Sequence, residues 1–437
     1  MNRHLGRWIA AWLALLSVCS SLPAEDAVPS RPTTANSKPA AKSAAAKSLA
    51  PILKPIQEPL RLKLLAGVEA ASLKEASVVE VLSQFADRET QAGRFSSSLV
   101  RTVQLLGRSE GPAAESKIVS LLSANDPRAV LLAADVCSTA KREAALDPLL
   151  KLADRKEYPQ YFGFRRGVVD AVARYPQKPA IDFLVTTVSE SNGQLKYEAA
   201  RHLTRTTGQN FGGHAADWKS WWKESRSGFQ FETVKSDRSL TTSASGSRSD
   251  GAGRMPWPEA VPEFYGVPIY AQRICFVIDR SKSMASTVDG ETRLDRAVQE
   301  LERAISGLPE SDYFNIVAFD TDIKRFRREL IQATPEGKRM GISFAVGLDP
   351  GELTNCHDAL MAGLDSDANL EAMLFLSDGE PTVGPIIDPF TIVEVVTDRN
   401  AFQRTTINTI GIDARGVHEE FLKQLAARNF GAYKSAR

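Results

Sequence analysis

Cysteine is scarce in this chain, with four residues among 437. So few cysteines cannot form a dense disulfide framework, so packing of apolar side chains must hold the fold together. An excess of one charge is also lacking, because 54 Lys and Arg residues face 53 Asp and Glu residues. A balanced chain has no general attraction to nucleic acid or anionic lipid, and neither is expected as a partner. The spacing of Cys275 and Cys356 neither supports nor excludes a disulfide bond between them.

The apolar segment near the N-terminus, Trp8 to Val18, is too short to cross a bilayer, which takes about 20 residues. It follows basic residues and precedes small ones around Ala24, the pattern of a secretory signal. We expect residues 1–24 to be a signal peptide, the mature chain to lack a transmembrane segment, and the protein to be periplasmic or on the cell surface. The letters LLSVC resemble a bacterial lipoprotein box, so lipid anchoring at Cys19 is one alternative, and an apolar N-terminus without a targeting role is another.

Residues 25–59 are dominated by Ala, Pro, Ser, Lys and Thr and contain almost no aromatic side chains. A segment of this composition cannot bury enough apolar surface to offset the entropy of ordering, so it is predicted to be a disordered tether.

Residues 60–226 change to amphipathic helical patterns separated by turn residues, with little strand-like alternation. Weak internal repetition has a period of roughly 31 to 38 residues, within the range of two-helix solenoid repeats. The region resembles HEAT-like repeats, and a non-repetitive helical bundle is the alternative. The predicted helices are Ser72 to Ala86, Ser96 to Leu106, Pro112 to Leu122, Pro127 to Thr139, Pro148 to Leu152, Tyr161 to Tyr175, Pro179 to Val188 and Leu195 to Arg205.

Three tryptophans end the helical region. Trp218, Trp221 and Trp222 are spaced i, i+3 and i+4, which places them on one face of a helix. Together with Phe211 they are expected to cap the open end of the solenoid, since terminal repeats need a distinct cap. A cofactor or carbohydrate platform is the alternative interpretation.

Residues 227–262 are rich in Ser, Gly and charge and then in Pro, which predicts a flexible linker. Residues 263–437 alternate apolar strand patterns with helical ones, which predicts one α/β domain with a mainly parallel sheet covered by helices on both faces. The predicted strands are Arg273 to Ile278, Tyr313 to Phe319, Ile323 to Phe326, Ala372 to Leu376 and Thr406 to Ile410, with helices Leu294 to Ile305, Pro335 to Val346, His357 to Leu364, Phe390 to Ala401 and Glu419 to Ala427.

Polar side chains follow the buried strands at one edge of this predicted sheet. Asp279, Ser281 and Ser283 come at alternate positions after the first apolar strand. Thr354 precedes a helix, and Asp378 follows another apolar strand. Ligands collect beyond the carboxyl ends of parallel strands, and carboxylate and hydroxyl oxygens suit Mg²⁺ or Mn²⁺. A Ser-rich helix cap is the simpler alternative for the first loop.

These three pieces, DRSKS, LTN and SDG, resemble the metal-ion-dependent adhesion site of von Willebrand factor type A domains. The resemblance covers about Pro268 to Tyr433 and implies a Rossmann-like fold. It implies that Ser281 and Ser283 coordinate Mg²⁺ directly and Thr354 directly or through water. Asp279 and Asp378 would then act through waters. A partner's Asp or Glu would complete the octahedron that Mg²⁺ prefers.

Two basic features depart from this simple pattern. Lys282 stands where the family commonly has glycine, and repulsion between its ammonium group and a cation would lower the affinity of the site for metal. A Lys side chain that points to solvent is the simpler interpretation. The segment from Lys324 to Arg328 places charge at a predicted sheet edge, where charge commonly blocks edge-to-edge pairing. We favour that role over an anionic ligand site.

The sequence therefore predicts an exported, metal-dependent protein-binding or adhesion protein that is not an enzyme, with helical repeats as a second interaction surface and possible membership of an envelope complex. One alternative is a structural envelope scaffold with a vestigial metal site. Another is a phosphatase-like hydrolase using Asp279 as nucleophile. Enzymes of that class need a second carboxylate as acid/base two residues after the nucleophile, and this chain has Ser281 at that position.

Overall fold

A computed structural model describes residues 43–231, 255–288 and 290–436. The chain divides into two compact units, Met1–Leu149 and Leu150–Arg437. The predicted signal peptide, the first part of the predicted tether and most of the predicted linker lie outside the described residues. The predicted domain boundaries are not tested by this division and stay predictions.

The described part of the first unit is helical. Short helices pair through apolar faces, with Leu82, Phe85, Leu99 and Leu106 fully buried. Proline at the first turn of α5 and α6 suits a position where no backbone donor is needed. The helices are α1 Ala44–Leu49, α2 Glu58–Ala66, α3 Ala76–Gln91, α4 Ser97–Arg108, α5 Pro112–Leu121 and α6 Pro127–Thr139, followed by α7 Leu146–Leu150 at the boundary of the units.

The prediction of a disordered tether is wrong for residues 43–59. Helix α1 and a 3₁₀ turn at Ala50–Leu53 occupy this stretch, and Ala46, Leu49 and Ile52 are buried. Alanine has the highest intrinsic helix propensity, and these few apolar side chains add packing against α3. Composition averaged over the whole segment concealed this short amphipathic element.

The second unit begins with five helices that precede the sheet. Trp218 and Trp222 on α12 pack into one apolar cluster with side chains of α10 and α11, such as Leu184 and Leu203, with Phe211 at its margin. The indole of Trp218 donates to the Gly212 carbonyl over 2.8 Å. The predicted tryptophan face is therefore present, and its role as a solenoid cap stays a prediction. The helices are α8 Glu157–Gln160, α9 Phe162–Val172, α10 Lys178–Glu190, α11 Gly193–Thr207 and α12 Ala215–Ser225.

A seven-stranded sheet forms the rest of the second unit, in the order β11-β10-β9-β3-β6-β7, with β8 also paired to β6. Strands β11, β10, β9, β3 and β6 are parallel, and β7 and β8 are antiparallel to β6. The sheet strands are β3 Arg273–Asp279, β6 Tyr313–Phe319, β7 Ile323–Arg325, β8 Ile331–Gln332, β9 Ala372–Ser377, β10 Thr406–Ile412 and β11 Tyr433–Ala436. Two small antiparallel ribbons complete the strands: β1 Glu263–Phe264 with β2 Val267–Pro268, and β4 Thr287–Val288 with β5 Glu291–Thr292.

Helices cover both faces of the sheet, and an apolar core lies against each face. One core includes Phe276, Phe314 and Leu301, and the other includes Phe319, Phe375 and Phe421. The covering helices are α13 Arg293–Gly307, α14 Pro335–Val346, α15 Cys356–Leu364, α16 Pro389–Asn400 and α17 Gly416–Arg428. The predicted fold class, an all-helical N-terminal region and a mainly parallel α/β sheet, is confirmed.

Helices α9 and α11 contact the amino-terminal ends of the strands. The buried Arg166 guanidinium donates to the Arg404 carbonyl, the Thr406 hydroxyl and the Glu198 carboxylate over 2.6 to 2.9 Å. The carboxylate of Glu371 accepts the backbone N–H of Gln194 over 3.0 Å. These helices therefore belong to the same packed unit as the sheet.

Candidate metal site

The five predicted site residues converge at the carboxyl edge of the sheet. Asp279 ends β3, which lies between β6 and β9 in the middle of the sheet. Asp378 follows β9 directly, and Thr354 lies immediately before α15. Because the parallel strands end together, three stretches that are distant in the sequence meet at one place.

A chain of short hydrogen bonds joins the first loop to Asp378. Asp279 Oδ1 accepts the Ser281 backbone N–H over 2.8 Å, and the hydroxyls of Ser281 and Ser283 lie 3.1 Å apart. The Ser283 hydroxyl donates to Asp378 Oδ1 over 2.7 Å. The Thr354 hydroxyl lies on the same side of Gly379 as the Ser283 hydroxyl, since a Cβ on that glycine would lie 3.7 Å from both oxygens.

These spacings fit a small hard cation. Neighbouring ligand oxygens around an octahedral Mg²⁺, each about 2.1 Å from the metal, are about 3 Å apart. The oxygen separations of 2.7 and 3.1 Å along Ser281, Ser283 and Asp378 match that geometry. In the described part of the chain no group of three or more His, Cys, Asp or Glu residues could hold a metal ion, so hydroxyl ligands are what distinguish this candidate site.

Asp279 is fully buried, and its carboxylate holds the loop through the hydrogen bond from the Ser281 backbone. Burial raises the pKa of Asp279 to about 7, repulsion from Asp378 adds to the rise, and hydrogen bonds from Ser377 and Ser281 oppose it. The Ser377 hydroxyl donates to Asp279 Oδ2 over 2.7 Å. A cation above the loop would favour the charged carboxylate. Asp279 is thus placed to orient the loop, with Ser283 exposed above it.

Arg293 at the start of α13 is a residue that the sequence analysis missed. Its guanidinium donates to Asp378 Oδ2 and to Asp413 Oδ2, each over 2.7 Å. The second oxygen of Asp378 is therefore committed to an ion pair, while Oδ1 faces Ser283. Arg293 holds the Asp378 side chain in one orientation and neutralises part of the site's charge. No local sequence signal links it to Asp378, because 85 residues separate the pair.

Arg280, inside the DRSKS loop, is a second missed residue. Its guanidinium pairs with Asp320 over 2.8 Å and donates to the Asp349 carbonyl over 2.8 Å. Its backbone also bonds to Phe319 and Gly351. Arg280 therefore ties the loop after β6 and the loop that carries Thr354 to the end of β3.

Lys282 fits the loop without strain. It lies in the 3₁₀ turn Lys282–Ala285, is exposed, and is not among the described residues with positive φ. Glycine is therefore not required at this position by the backbone. The effect of its charge on metal affinity stays open to measurement.

Three other reactive side chains near the sheet have no evident chemical role. Cys275 and Cys356 are free and buried, so the structure contains no bond between them. Burial lowers the pKa of His418, while the backbone of Ser377 and the carboxylate of Asp378 act to raise it. Arg280 pairs with Asp320 and is not free to act on a substrate.

Comparisons with known proteins identify one domain in the C-terminal part of the chain. The family model for the von Willebrand factor type A domain matches residues 274–361. Inter-alpha-trypsin inhibitor heavy chain H3 of Homo sapiens is 28% identical over 178 residues, which are 38% of this chain and 19% of the relative. Heavy chain H4 of Homo sapiens is 30% identical over 130 residues, 27% of this chain and 13% of the relative. The chain thus spans about a fifth or less of the length of these relatives.

Solved structures also match the C-terminal part. A von Willebrand factor type A protein from Catenulispora acidiphila is 17% identical, with a TM-score of 0.34, over 39% of this chain and 40% of that one. The PilB minor pilin from Streptococcus sanguinis is 20% identical, with a TM-score of 0.30, over 39% of this chain and 58% of that one. Among the described residues, no helix has the length and apolar character needed to cross a membrane.

Proposed function

We propose that the von Willebrand factor type A domain in the C-terminal part of this chain binds Mg²⁺ or Mn²⁺ and uses the ion to capture a carboxylate of a protein partner. The residues assigned to the ion are Asp279, Ser281, Ser283, Thr354 and Asp378. The observation that carries the proposal is their convergence from three loops, with ligand-like spacing between the hydroxyls of Ser281 and Ser283 and Asp378 Oδ1.

The charge of the site favours an acidic partner. Only Asp279 and Asp378 bring carboxylates, and Arg293 already offsets part of the charge of Asp378. A divalent ion held mostly by hydroxyls keeps net positive charge, so an incoming Asp or Glu would be attracted and would complete its coordination. The exposure of Ser283 leaves the ion accessible from solvent.

Exposed apolar side chains in two loops and at the start of α17 favour a protein as that partner. Leu353 precedes Thr354 and is 45% exposed, Ile387 in the loop after β9 is 55% exposed, and Val417 beside His418 is 50% exposed. Large apolar side chains that remain exposed around a polar site are characteristic of protein interfaces.

The cellular setting is part of the same proposal. The signal-like N-terminus supports export to the periplasm or cell surface, and the helical region offers a second interaction surface, as part of an envelope complex or alone.

The relatives named above are described as inhibitor heavy chains and a minor pilin, and none is named for an enzymatic reaction.

A structural scaffold with a vestigial site is the second candidate. The ion pair between Arg293 and Asp378 favours it, because a side-chain cation already neutralises one expected ligand. A hydrolase using Asp279 has less support, since that carboxylate is buried against Ser377 and the side chain two residues on is Ser281.

Metal-dependent capture tests the proposal. The tagged full chain would be incubated with solubilised envelope from its native cells, in Mg²⁺ and in chelator, beside a Ser281→Ala, Ser283→Ala variant. We expect one protein to be retained by wild type in Mg²⁺ and lost both in chelator and with the variant. Retention that is indifferent to chelator and to the substitutions would exclude the metal site as the basis of binding.

A further inference from the structure

The edge strand β7 and the turn after it carry an unusual concentration of positive charge. Lys324, Arg325, Arg327 and Arg328, which we term the basic edge, fall within five positions of a chain whose formal net charge is only +1. All four side chains are exposed. Within the residues that the structure describes, none of the four forms an ion pair with a carboxylate; the Arg327 side chain contacts only the Met340 sulfur and the Phe326 ring.

The basic edge is held rigidly. Phe326 packs between Phe314 and Phe344, with ring centroids 6.1 and 5.5 Å away. The fully buried Asn315 donates to the Arg327 carbonyl over 2.9 Å and accepts the Arg327 backbone N–H over 3.1 Å. A buried amide that bonds both backbone groups of one residue fixes the course of the chain. The four charges are therefore displayed on an ordered strand and turn.

One row of backbone groups along β7 faces away from the sheet. In the antiparallel pair of β6 and β7, Arg325 lies opposite Val317, and the Phe326 N–H bonds to the Ile316 carbonyl. Bonded and non-bonded positions alternate in such a ladder, so the N–H and C=O of Arg325 point away from β6. Since β7 ends the strand order, these groups face the open side of the sheet.

We propose that the basic edge binds an extended acidic segment of a protein chain, which adds to β7 as a further strand. Backbone hydrogen bonds to the outward groups of β7 would supply alignment, and acidic side chains would pair with the four cations. Charge on an edge strand disfavours pairing with further strands, but four cations without acidic partners would attract a strand that carries carboxylates. The interaction uses no residue assigned to the metal.

A fluorescence binding assay on the full chain in chelator tests the proposal without involving the metal site. The probe is a labelled eight-residue peptide that repeats Glu-Glu-Val-Val, because successive side chains of a strand point to opposite faces and this repeat places Glu on both. Its controls are the same peptide with Lys in place of Glu and the same peptide with alternate backbone amides N-methylated. We expect the acidic peptide to bind, the Lys peptide not to bind, and methylation to remove binding.

Matched variants separate the contribution of charge from that of the backbone. The Lys324→Ala, Arg325→Ala pair should weaken binding about tenfold, whereas removal of two exposed lysines of α12, Lys219→Ala with Lys223→Ala, should have no effect. Arg325→Pro should bind about fivefold more weakly than Arg325→Ala, because it also removes an outward N–H. Should the proline variant fail to fold, the N-methylated peptide makes the same test.

Three results would overturn the proposal. They are no binding of the acidic peptide, binding of the methylated peptide as tight as that of the unmethylated one, or a loss of affinity in the Lys219→Ala, Lys223→Ala control equal to that of the Lys324→Ala, Arg325→Ala variant. Equal binding of the methylated peptide together with displacement by a sulfated polysaccharide would show a general polyanion surface in place of strand addition.

Discussion

At the scale of single residues, Arg280 forms a buried ion pair beside the candidate metal site. Its side chain is 7% exposed and that of its partner Asp320 is 10% exposed, so the ion pair is largely shielded from water. Removing one partner of such a pair leaves a charge with little solvation, which costs more than the pair itself contributes. The loop carrying Thr354 depends on the same contacts.

We predict that Arg280→Ala lowers the free energy of unfolding by about 3 kcal/mol or more, since Asp320 loses its buried partner. Urea denaturation of the full chain measures this change. The matched control is Arg303→Ala, whose 72% exposed side chain pairs with Glu300 on the surface of α13 and should change stability by less than about 1 kcal/mol. Equal effects of the two substitutions would show that the Arg280 pair has no special role.

The five site residues could be found from the sequence because each lies in a short motif at the end of a predicted strand or the start of a predicted helix. Arg280 and Arg293 could not, because their partners are 40 and 85 residues away. A basic residue in a loop or at a helix start is most often solvated, and only the packed loops show that these two are not.

At the scale of elements, the predicted bounds of helices agree best with the structure where a specific residue marks the first turn. Strand β6 and helices α6 and α14 have the predicted bounds, and both helices begin at a proline in the first helical position. Helix α3 was predicted to begin four residues early, at Ser72, because a 3₁₀ turn at Ala70–Lys74 precedes it. Turns of this kind continue helical periodicity and cannot be distinguished by pattern.

Helix α16 carries a carboxyl group that makes stability depend on pH. Burial raises the pKa of Asp398 to about 7, repulsion from Glu394 adds to the rise, and attraction to Arg428 opposes it. Since the folded pKa exceeds the unfolded one, the folded state holds more protons between about pH 4 and 7. Stability therefore falls as the pH rises through this window.

We predict that Asp398→Asn removes part of this dependence. Below about pH 4 the carboxyl is neutral in both states and the substitution should matter little. At pH 8 the variant should be more stable than wild type by about 1 kcal/mol, a value discounted for the partial exposure of the side chain. Urea unfolding at pH 5 and pH 8 measures the difference. An advantage that shrinks as the pH rises would contradict the assignment.

At the scale of the whole molecule, the last helices of the helical region are part of the same unit as the sheet. Arg166 and Glu198 are each 1% exposed and form an ion pair with each other. Arg166 also donates hydrogen bonds to the Arg404 carbonyl and the Thr406 hydroxyl. Sequence patterns treat such charged residues as solvated, so they gave no sign of this contact. The division predicted at residues 227–262 rests on composition alone and stays a prediction. The compact unit that contains the sheet begins earlier, at Leu150.

We predict that a fragment of residues 150–437 unfolds in one cooperative transition and is more stable than a fragment of residues 255–437 by about 2 to 4 kcal/mol. The shorter fragment leaves Glu371 without the Gln194 N–H and Thr406 without Arg166. Urea denaturation followed by far-UV circular dichroism compares the two. Equal midpoints and slopes would mean that the helices contribute nothing to the sheet domain.

Calorimetric titration of the full chain with Mg²⁺ tests whether three distant loops build one cation site. We predict saturable binding of one ion by wild type and a loss of at least about tenfold in affinity for Ser281→Ala with Ser283→Ala. A control that removes two exposed hydroxyls elsewhere, Ser220→Ala with Ser306→Ala, should bind as wild type does. Equally weak binding by wild type and the Ser281, Ser283 variant would show that these loops do not form a cation site.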